Sequence, residues 1–241
     1  MNLPQNMHIH TAFSDGYLPA EAVIKNAKEQ KMGIIGITDH YITTKIHDPR
    51  YYVTNLPRYT DHLRLLRKQY QTAGFQIRIG IEIDCSIRNR VNFEGFDFAA
   101  LNQLDYVLLE YVKETVDFPG CSLDEIGDKI ISKLQIPMGL AHNHLTRNFQ
   151  LNSDLDFERF AEKINQYHLF IELNEGESGH NMNNETGRYY FEEFPPAFWE
   201  CLKRNGIKFS IGTDNHEGEP YGDSKKAQKL VQTHGLTLFP F

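Results

Sequence analysis

The segment IRIGIEID, residues 77–84, combines the pattern of a buried strand with an acidic side chain near its end. Isoleucine dominates the segment, and it is too short for a lone buried helix, which favours a strand in a parallel sheet. Glu82 lies within the apolar part, and a buried carboxylate needs a partner. The segment therefore predicts a core strand that carries a functional group.

Six further apolar runs resemble this segment and are separated by amphipathic stretches. These runs are Met7–Thr11, Ile34–Asp39, Tyr106–Tyr111, Met138–His142, Leu169–Asn174 and Ile207–Asp214. Strands that alternate with helices predict parallel βα units. We therefore expect a single α/β barrel domain over residues 1–241, with its active site at the C-terminal ends of the strands.

Apolar residues at helical spacing predict the intervening helices, and Ser122 is a candidate N-cap for one of them. The predicted helical segments are 20–27, 59–70, 123–134, 157–164, 195–204 and 224–234.

Composition narrows the class of protein. The 241 residues are 40% hydrophobic and 24% charged, which suffices for a sizeable core. The formal net charge is −7 without a basic run, which argues against a long nucleic acid as a partner. We recognise no membrane-spanning run and no signal peptide, and expect a cytoplasmic protein. The three scattered cysteines are expected to be reduced and mostly buried.

Histidines and carboxylates collect at the ends of the predicted strands, where six of the eleven histidines lie. His8 and His10 are two apart on the first strand and therefore face the same side. Asp214 and His216 follow the last strand and share a face if the chain stays extended. Such a set suits zinc, manganese or iron(II). Glu82 is placed to bridge two ions about 4 Å apart.

Five motifs resemble those of the PHP superfamily, the polymerase and histidinol phosphatase domain. They occur in the family's order and extend over almost the whole chain. They read Met7-His8-Ile9-His10-Thr11 with Phe13-Ser14-Asp15-Gly16, Gly36-Ile37-Thr38-Asp39-His40, Gly80-Ile81-Glu82, Ala141-His142 and Gly212-Thr213-Asp214-Asn215-His216. The resemblance implies a distorted, TIM-like (β/α)7 barrel and a metal-dependent phosphoesterase.

The resemblance also implies two or three divalent ions, zinc, manganese or iron. The ligand sets that it implies for this chain are His8, His10, Glu82 and Asp214 for one ion, Glu82 and His142 for a second, and Asp15, His40 and His216 for a third. The residues alone leave Asp15 open, because Ser14-Asp15-Gly16 is equally typical of a turn.

The fourth strand departs from the family pattern. Family members usually carry a histidine just after it, whereas residues 105–113 contain none and Val112 stands at that position. Glu110, two residues earlier on the same face, is a candidate ligand that would favour manganese or iron. It is alternatively a rim carboxylate paired with Lys113. His144, beside the Ala-His motif, is a second candidate to replace the missing ligand.

The expected reaction is hydrolysis of a small phosphate monoester by metal-bound hydroxide, because a metal lowers the pKa of bound water to about 7. We expect Asp214 to be catalytic as well as a ligand. His144 or His180 is a candidate general acid for the leaving group. Arg147 and Arg188 are candidates for contacting the phosphoryl oxygens, or are solvated surface charges.

Two other functions remain open at this stage. An amidohydrolase-type enzyme also begins with a His-x-His strand, and Lys113 lies near the place of that family's bridging lysine. It would not need Glu82 or the closing Asp-x-His. A non-catalytic metal-binding module is the second alternative. Substrate specificity is expected to reside in the loops 42–55 and 175–190.

Overall fold

The computed structural model describes residues 4–114, 119–142, 156–176, 182–183, 186–218, 220–222 and 224–241. The strands are β1 (Gln5–Ile9), β2 (Ile34–Ile37), β3 (His40–Tyr41), β4 (Gln76–Asp84), β5 (Tyr106–Glu110), β6 (Met138–Leu140), β7 (Leu169–Asn174), β8 (Met182–Asn183), β9 (Arg188–Tyr189), β10 (Lys208–Gly212) and β11 (Thr237–Leu238). The helices are α1 (Ala20–Glu29), α2 (Leu56–Tyr70), α3 (Phe98–Leu101), α4 (Leu123–Lys129), α5 (Phe157–Gln166), α6 (Pro196–Arg204) and α7 (Lys225–His234).

The main sheet is parallel, in the order β1-β2-β4-β5-β6-β7-β10-β11, with β3 also paired to β4. Seven of these strands coincide with the seven apolar runs. The sheet curls until β1 meets the chain beyond β10, where Ile9 pairs with Asn215 and the His10 amide donates to the Asn215 carbonyl at 2.9 Å. The predicted TIM-like α/β barrel is confirmed, with β3 and β11 as additions.

The inner face of the barrel changes character along its strands. Alternation on β5 places Tyr106 and Leu108 on the same face as Glu110, and on β7 it places Phe170 on the same face as Glu172. Tyr106, Leu108 and Phe170 belong to one buried apolar cluster. The two glutamates follow at the C-terminal ends of their strands. Apolar side chains therefore fill one end of the barrel, and acidic groups gather at the other.

The third predicted helix is shorter than expected. The Ser122 side chain accepts a hydrogen bond from the Glu125 amide and begins α4, as predicted. The helix ends at Lys129 because Ile130 leaves the helical conformation (φ −123°, ψ −61°). A 3-10 turn over Ile131–Lys133 follows, so the expectation of one helix over residues 123–134 was wrong.

The cysteines agree with the expectation of buried thiols. All three cysteines are free and buried. Among the helices in the described ranges, none is both long and apolar enough to cross a membrane.

Candidate metal centre

Four side chains from the ends of β1, β4 and β10 point at one position. The Nε2 atoms of His8 and His10 are 3.0 Å apart. The Oδ1 atom of Asp214 lies 3.3 Å from the first and 3.0 Å from the second. Glu82 places Oε1 3.3 Å from His8 Nε2. Ligand atoms around one ion stand roughly 3.0–3.5 Å apart when each is about 2.0–2.2 Å from it, so this group fits a single metal ion.

A second group lies beside the first and is more open to solvent. The Nε2 atoms of His40 and His216 lie 3.5 and 3.3 Å from the two carboxylate oxygens of Asp15. The Asp15 side chain is 33% exposed, and that of His216 is 28% exposed. Asp15 belongs to a turn and also faces the two imidazoles, so both interpretations of its motif apply.

Glu82 occupies the centre of the cluster. Its Oε1 lies 2.9 Å from His142 Nε2, and its Oε2 lies 2.8 Å from His40 Nδ1. Glu110 completes this third group, with Oε2 3.9 Å from His142 Nε2 and Oε1 3.6 Å from His40 Nδ1. Because Glu82 contacts members of all three groups, it stands where a bridging carboxylate would.

The imidazoles are oriented by partners at their second ring nitrogen. His8 Nδ1 lies 3.0 and 3.2 Å from the two oxygens of Glu172. His10 Nδ1 lies 3.3 Å from the Ser14 hydroxyl, and His216 Nδ1 lies 2.8 Å from the backbone carbonyl two residues earlier. These acceptors assign the proton to Nδ1, which leaves the Nε2 lone pair for a metal.

Unpaired carboxylate oxygens give an independent test of whether a metal fits. Within the described part of the chain, no hydrogen bond reaches the buried oxygens Asp15 Oδ1, Glu82 Oε2 and Asp214 Oδ1. A buried charge without a partner is costly, and a divalent cation would satisfy these atoms. Imidazole and carboxylate donors together suit zinc, manganese or iron. The residues present therefore fit a metal centre.

The electrostatics of the cluster favour cation binding. Desolvation, reinforced by the charge of His40, lowers the pKa of His10 to about 3 and favours the neutral ring that a metal needs. Burial raises the pKa of Glu82, but the charges of His8 and His40 outweigh it and hold that pKa well below its ordinary value. Burial, with the charge of Glu82, raises the pKa of Glu110 to about 7. Ionised Glu110 therefore needs a cation beside it.

That cation is Lys45, a residue that the sequence analysis did not consider. Its Nζ lies 2.7 and 2.8 Å from the two oxygens of Glu110. Lys45 belongs to the loop 42–55, which we expected to influence specificity, but no motif marks this lysine.

Asp39 supports the site without facing a metal. Its carboxylate accepts hydrogen bonds from the Thr11 amide at 2.7 Å, the Thr11 hydroxyl at 2.8 Å and the Ser14 hydroxyl at 2.7 Å. Asp39 thus stabilises the turn between His10 and Asp15. In the motif that ends at His40, Asp39 is a supporting residue and His40 is the candidate ligand.

The condition under which the residues of the last motif would share a face, an extended chain, is not met. β10 ends at Gly212, and Asp214 has a φ of 51°, in the left-handed region that ordinary residues rarely adopt. Asp214 and His216 therefore do not share one face of a strand. The turn instead directs Asp214 towards His10 and His216 towards Asp15.

The described contacts do not place the remaining catalytic candidates at the ligand cluster. His144, His180 and Arg147 lie outside the described residues. Arg188 is exposed in the β8–β9 hairpin, where its guanidinium donates to the Glu192 carbonyl. Lys113, the residue that suggested an amidohydrolase, is also exposed.

Comparison with known families agrees with the motifs. A sequence model described as the PHP domain matches residues 6–176. The chain belongs to the PHP domain family. This membership confirms the resemblance seen in the motifs. No curated protein sequence matches the chain.

Solved structures share this PHP fold. The histidinol phosphate phosphatase HisK of Lactococcus lactis subsp. lactis Il1403, complexed with zinc, L-histidinol and phosphate, has a TM-score of 0.68 at 17% identity over 98% of this chain and 95% of its own. A candidate histidinol phosphatase, hisK, from Listeria monocytogenes has a TM-score of 0.61 at 17% identity over 92% and 99%. A chain of archaeal ribonuclease P with mature tRNA has 0.53 at 15% identity over 96% and 83%. At these identities the likeness establishes the fold.

Sequence reasoning also missed Glu172 in this PHP chain. Glu172 is buried on β7, binds His8 Nδ1 and accepts a hydrogen bond from the His142 amide at 2.8 Å. The signal that marked Glu82, a carboxylate within an apolar strand, was present here as well.

Proposed function

We propose that this PHP protein is a metal-dependent phosphatase that hydrolyses a small phosphate monoester. The observation that carries the proposal is the convergence of Nε2 atoms and unpaired buried carboxylate oxygens at one rim of the barrel. Divalent ions bound there would lower the pKa of water and counter the negative charge of a phosphoryl group.

We propose that two or three ions are bound by ligands from the sets that the family resemblance implies, and that Glu82 joins neighbouring ions. The proposed ligands are His8, His10, Asp15, His40, Glu82, His142, Asp214 and His216, with Glu110 as a further candidate. Residues that bind the other ring nitrogen, such as Glu172 at His8 Nδ1, would keep the rings in place for this purpose.

Other residues of the chain would bind the substrate and move protons. Asp214 Oδ1, unpaired within the described chain and close to both His8 and His10, is proposed to orient the attacking water by accepting its hydrogen bond. His144 or His180 is proposed to protonate the leaving oxygen, and Arg188 to contact the phosphoryl group.

A histidinol-phosphate-like compound is the first substrate to test. The Lactococcus lactis protein of the same fold was crystallised with L-histidinol and phosphate. The chain carries a net charge of −7, so only cations bound at one place would attract a phosphate. A small monoester fits such a local site.

The experiment combines elemental analysis with a phosphomonoester screen on manganese- and zinc-loaded protein, and repeats both on Glu82→Gln. We expect at least two ions per parent chain. The variant should lose about 100-fold or more of kcat/KM while keeping its fold, because removing a bridging charge weakens two sites. The matched control is Glu114→Gln, because Glu114 is a buried carboxylate that accepts a hydrogen bond from the Leu123 amide.

Four results would contradict the proposal. Less than one ion per chain, with no activity restored by added metal, would remove the multi-metal centre. Metal binding without hydrolysis of any phosphomonoester would favour a non-catalytic module, and hydrolysis of amides alone would favour an amidohydrolase. Normal turnover and metal content in Glu82→Gln would remove Glu82 as the bridge.

A further inference from the structure

Lys45 brings a permanent cation to the edge of the ligand cluster. Its Nζ lies 2.7 Å from Oε1 and 2.8 Å from Oε2 of Glu110, whose side chain is fully buried. The Lys45 side chain itself keeps 26% of its surface exposed. Its Nζ also lies 5.2 Å from the centre of the Tyr111 ring. The ammonium is thus anchored to the interior while part of the side chain remains open to solvent.

The loop that carries Lys45 is held in place by buried polar contacts. The Lys45 amide donates to the Thr43 hydroxyl at 3.0 Å, and that hydroxyl donates to Asp84 at 2.6 Å. Next to it, the Thr44 amide donates to the Asn89 side chain at 3.1 Å, and the Asn89 amide group donates to the Asp84 carbonyl at 2.8 Å. These contacts tie the lysine to the C-terminal end of β4, so its place beside Glu110 is built into the fold.

Glu110 joins this ammonium to the third ligand group. Its Oε2 lies 3.9 Å from His142 Nε2, and His142 Nε2 lies 2.9 Å from Glu82. A positive charge is therefore already bound to one of the carboxylates that a metal at this group would use.

The charge of the Lys45 ammonium limits which further ions the third ligand group can bind. A divalent ion on the same Glu110 carboxylate would stand close to the ammonium, and the two positive charges would repel each other in a partly buried site. One of the three N–H donors of the ammonium is hydrogen-bonded to Glu110 Oε2, and Oε1 is its ion-pair partner at 2.7 Å. A further N–H donor is available to an anion, and lysine commonly binds phosphate as a point charge.

We propose that Lys45, held by Glu110, takes the place of a third metal ion, so that the centre binds two metal ions and the ammonium contacts a phosphoryl oxygen. The inference rests on the proposed phosphatase function for the identity of its ligand. It assigns Glu110 to Lys45 as a counter-ion and makes Lys45 a phosphate-binding residue.

The test compares the parent protein with Lys45→Met and Lys45→Arg, using inorganic phosphate as the probe. Ions per chain are counted after loading with manganese, and phosphate affinity is measured by calorimetry on the same samples. We expect two ions in the parent chain and phosphate binding about tenfold or more weaker in Lys45→Met at an equal ion count. Lys45→Arg should recover part of the affinity.

Lys163→Met is the matched control, because Lys163 is 20% exposed and pairs with Glu114 at 3.2 Å. It should leave phosphate affinity unchanged, and thermal unfolding curves confirm that each variant is folded. Three tightly held ions in the parent chain would overturn the inference and support Glu110 as a metal ligand. Unchanged phosphate affinity in Lys45→Met at an equal ion count would also overturn it.

The outcomes separate this inference from the proposed function. Lys45-dependent phosphate binding without hydrolysis of any phosphomonoester would contradict the phosphatase and leave the inference intact. Phosphomonoester hydrolysis with phosphate affinity independent of Lys45 would contradict the inference alone.

Discussion

Glu172 organises two ligand candidates from behind the cluster. Its two oxygens lie 3.0 and 3.2 Å from His8 Nδ1, and it accepts hydrogen bonds from the His142 amide at 2.8 Å and the Asn174 side chain at 3.1 Å. His142 has a φ of 23°, a strained value for a residue with a side chain. The bond to Glu172 helps to hold this conformation, so one carboxylate fixes the positions of both imidazoles.

Glu172→Gln should lower metal affinity while the barrel stays folded. The amide retains one oxygen for the His142 backbone but loses the charge that supports the His8 ring, and changes of this kind cost about 10- to 100-fold in metal affinity. Metal titration with a competing chelator measures the effect, with Glu114→Gln as a buried control away from the cluster. Parent-like affinity in Glu172→Gln would show that the His8 ring needs no support from β7.

The end of β10 shows how a strand shapes the centre. Gly212 pairs in register with Asn174 of β7, which brings it against the Glu172 side chain. A Cβ atom at Gly212 would stand 1.9 Å from Glu172 Oε1 and 2.7 Å from His8 Cβ. The glycine therefore allows β10 to approach the Glu172–His8 pair closely before the chain turns at Asp214.

Gly212→Ala should destabilise the protein and disturb metal binding together. Relief of the clash must move Glu172 or His8, and overpacking of this kind costs roughly 1–3 kcal/mol in the free energy of unfolding. Denaturant unfolding in the presence of a chelator measures the stability, and elemental analysis measures the metal content. Gly74→Ala is the control, because a Cβ there meets nothing within 4 Å. Equal stability and metal content in both variants would contradict this account of the strand end.

Across the whole barrel, charge and apolar packing are separated along the axis. Tyr106 and Phe170 fill the interior towards one end, while Glu82, Glu110 and Glu172 lie at the C-terminal ends of their strands. Lys45 offsets part of this negative charge, and the unpaired oxygens point to further cations. The metal-free barrel thus keeps buried carboxylate oxygens without hydrogen bonds at one rim, which disfavours the folded state.

Chelation should therefore lower the melting temperature. An ion bound only by the folded chain stabilises it by about 2.7 kcal/mol at a concentration 100 times its dissociation constant, which is roughly 5–10 °C for a protein of this size. Calorimetry with manganese and with a chelator measures the difference. Glu82→Gln should show a smaller shift, because its sites bind metal less tightly. Melting temperatures that do not respond to either addition would argue against a centre that stabilises the fold.

The seven principal strands and the cluster of candidate ligands were predictable from the sequence. Strands buried on both faces must be apolar, so a histidine or carboxylate inside such a run, as at His8 or Glu82, stands out against its neighbours. The C-terminal ends of the strands in a parallel barrel meet at one rim, so side chains far apart in the chain were expected to converge. Periodicity and topology are sufficient for these inferences.

The contacts that complete the centre were decided by the tertiary structure. Lys45 and Glu110 are 65 positions apart, and His8 and Glu172 are 164 apart. The path of a loop and the register between strands determine such pairs, and no spacing in the chain records either. The local sequence does not determine the left-handed turn at Asp214 either, because its φ of 51° depends on packing around the end of β10. Local sequence identifies which side chains have the chemistry for a metal centre, whereas the fold determines which partner each one meets.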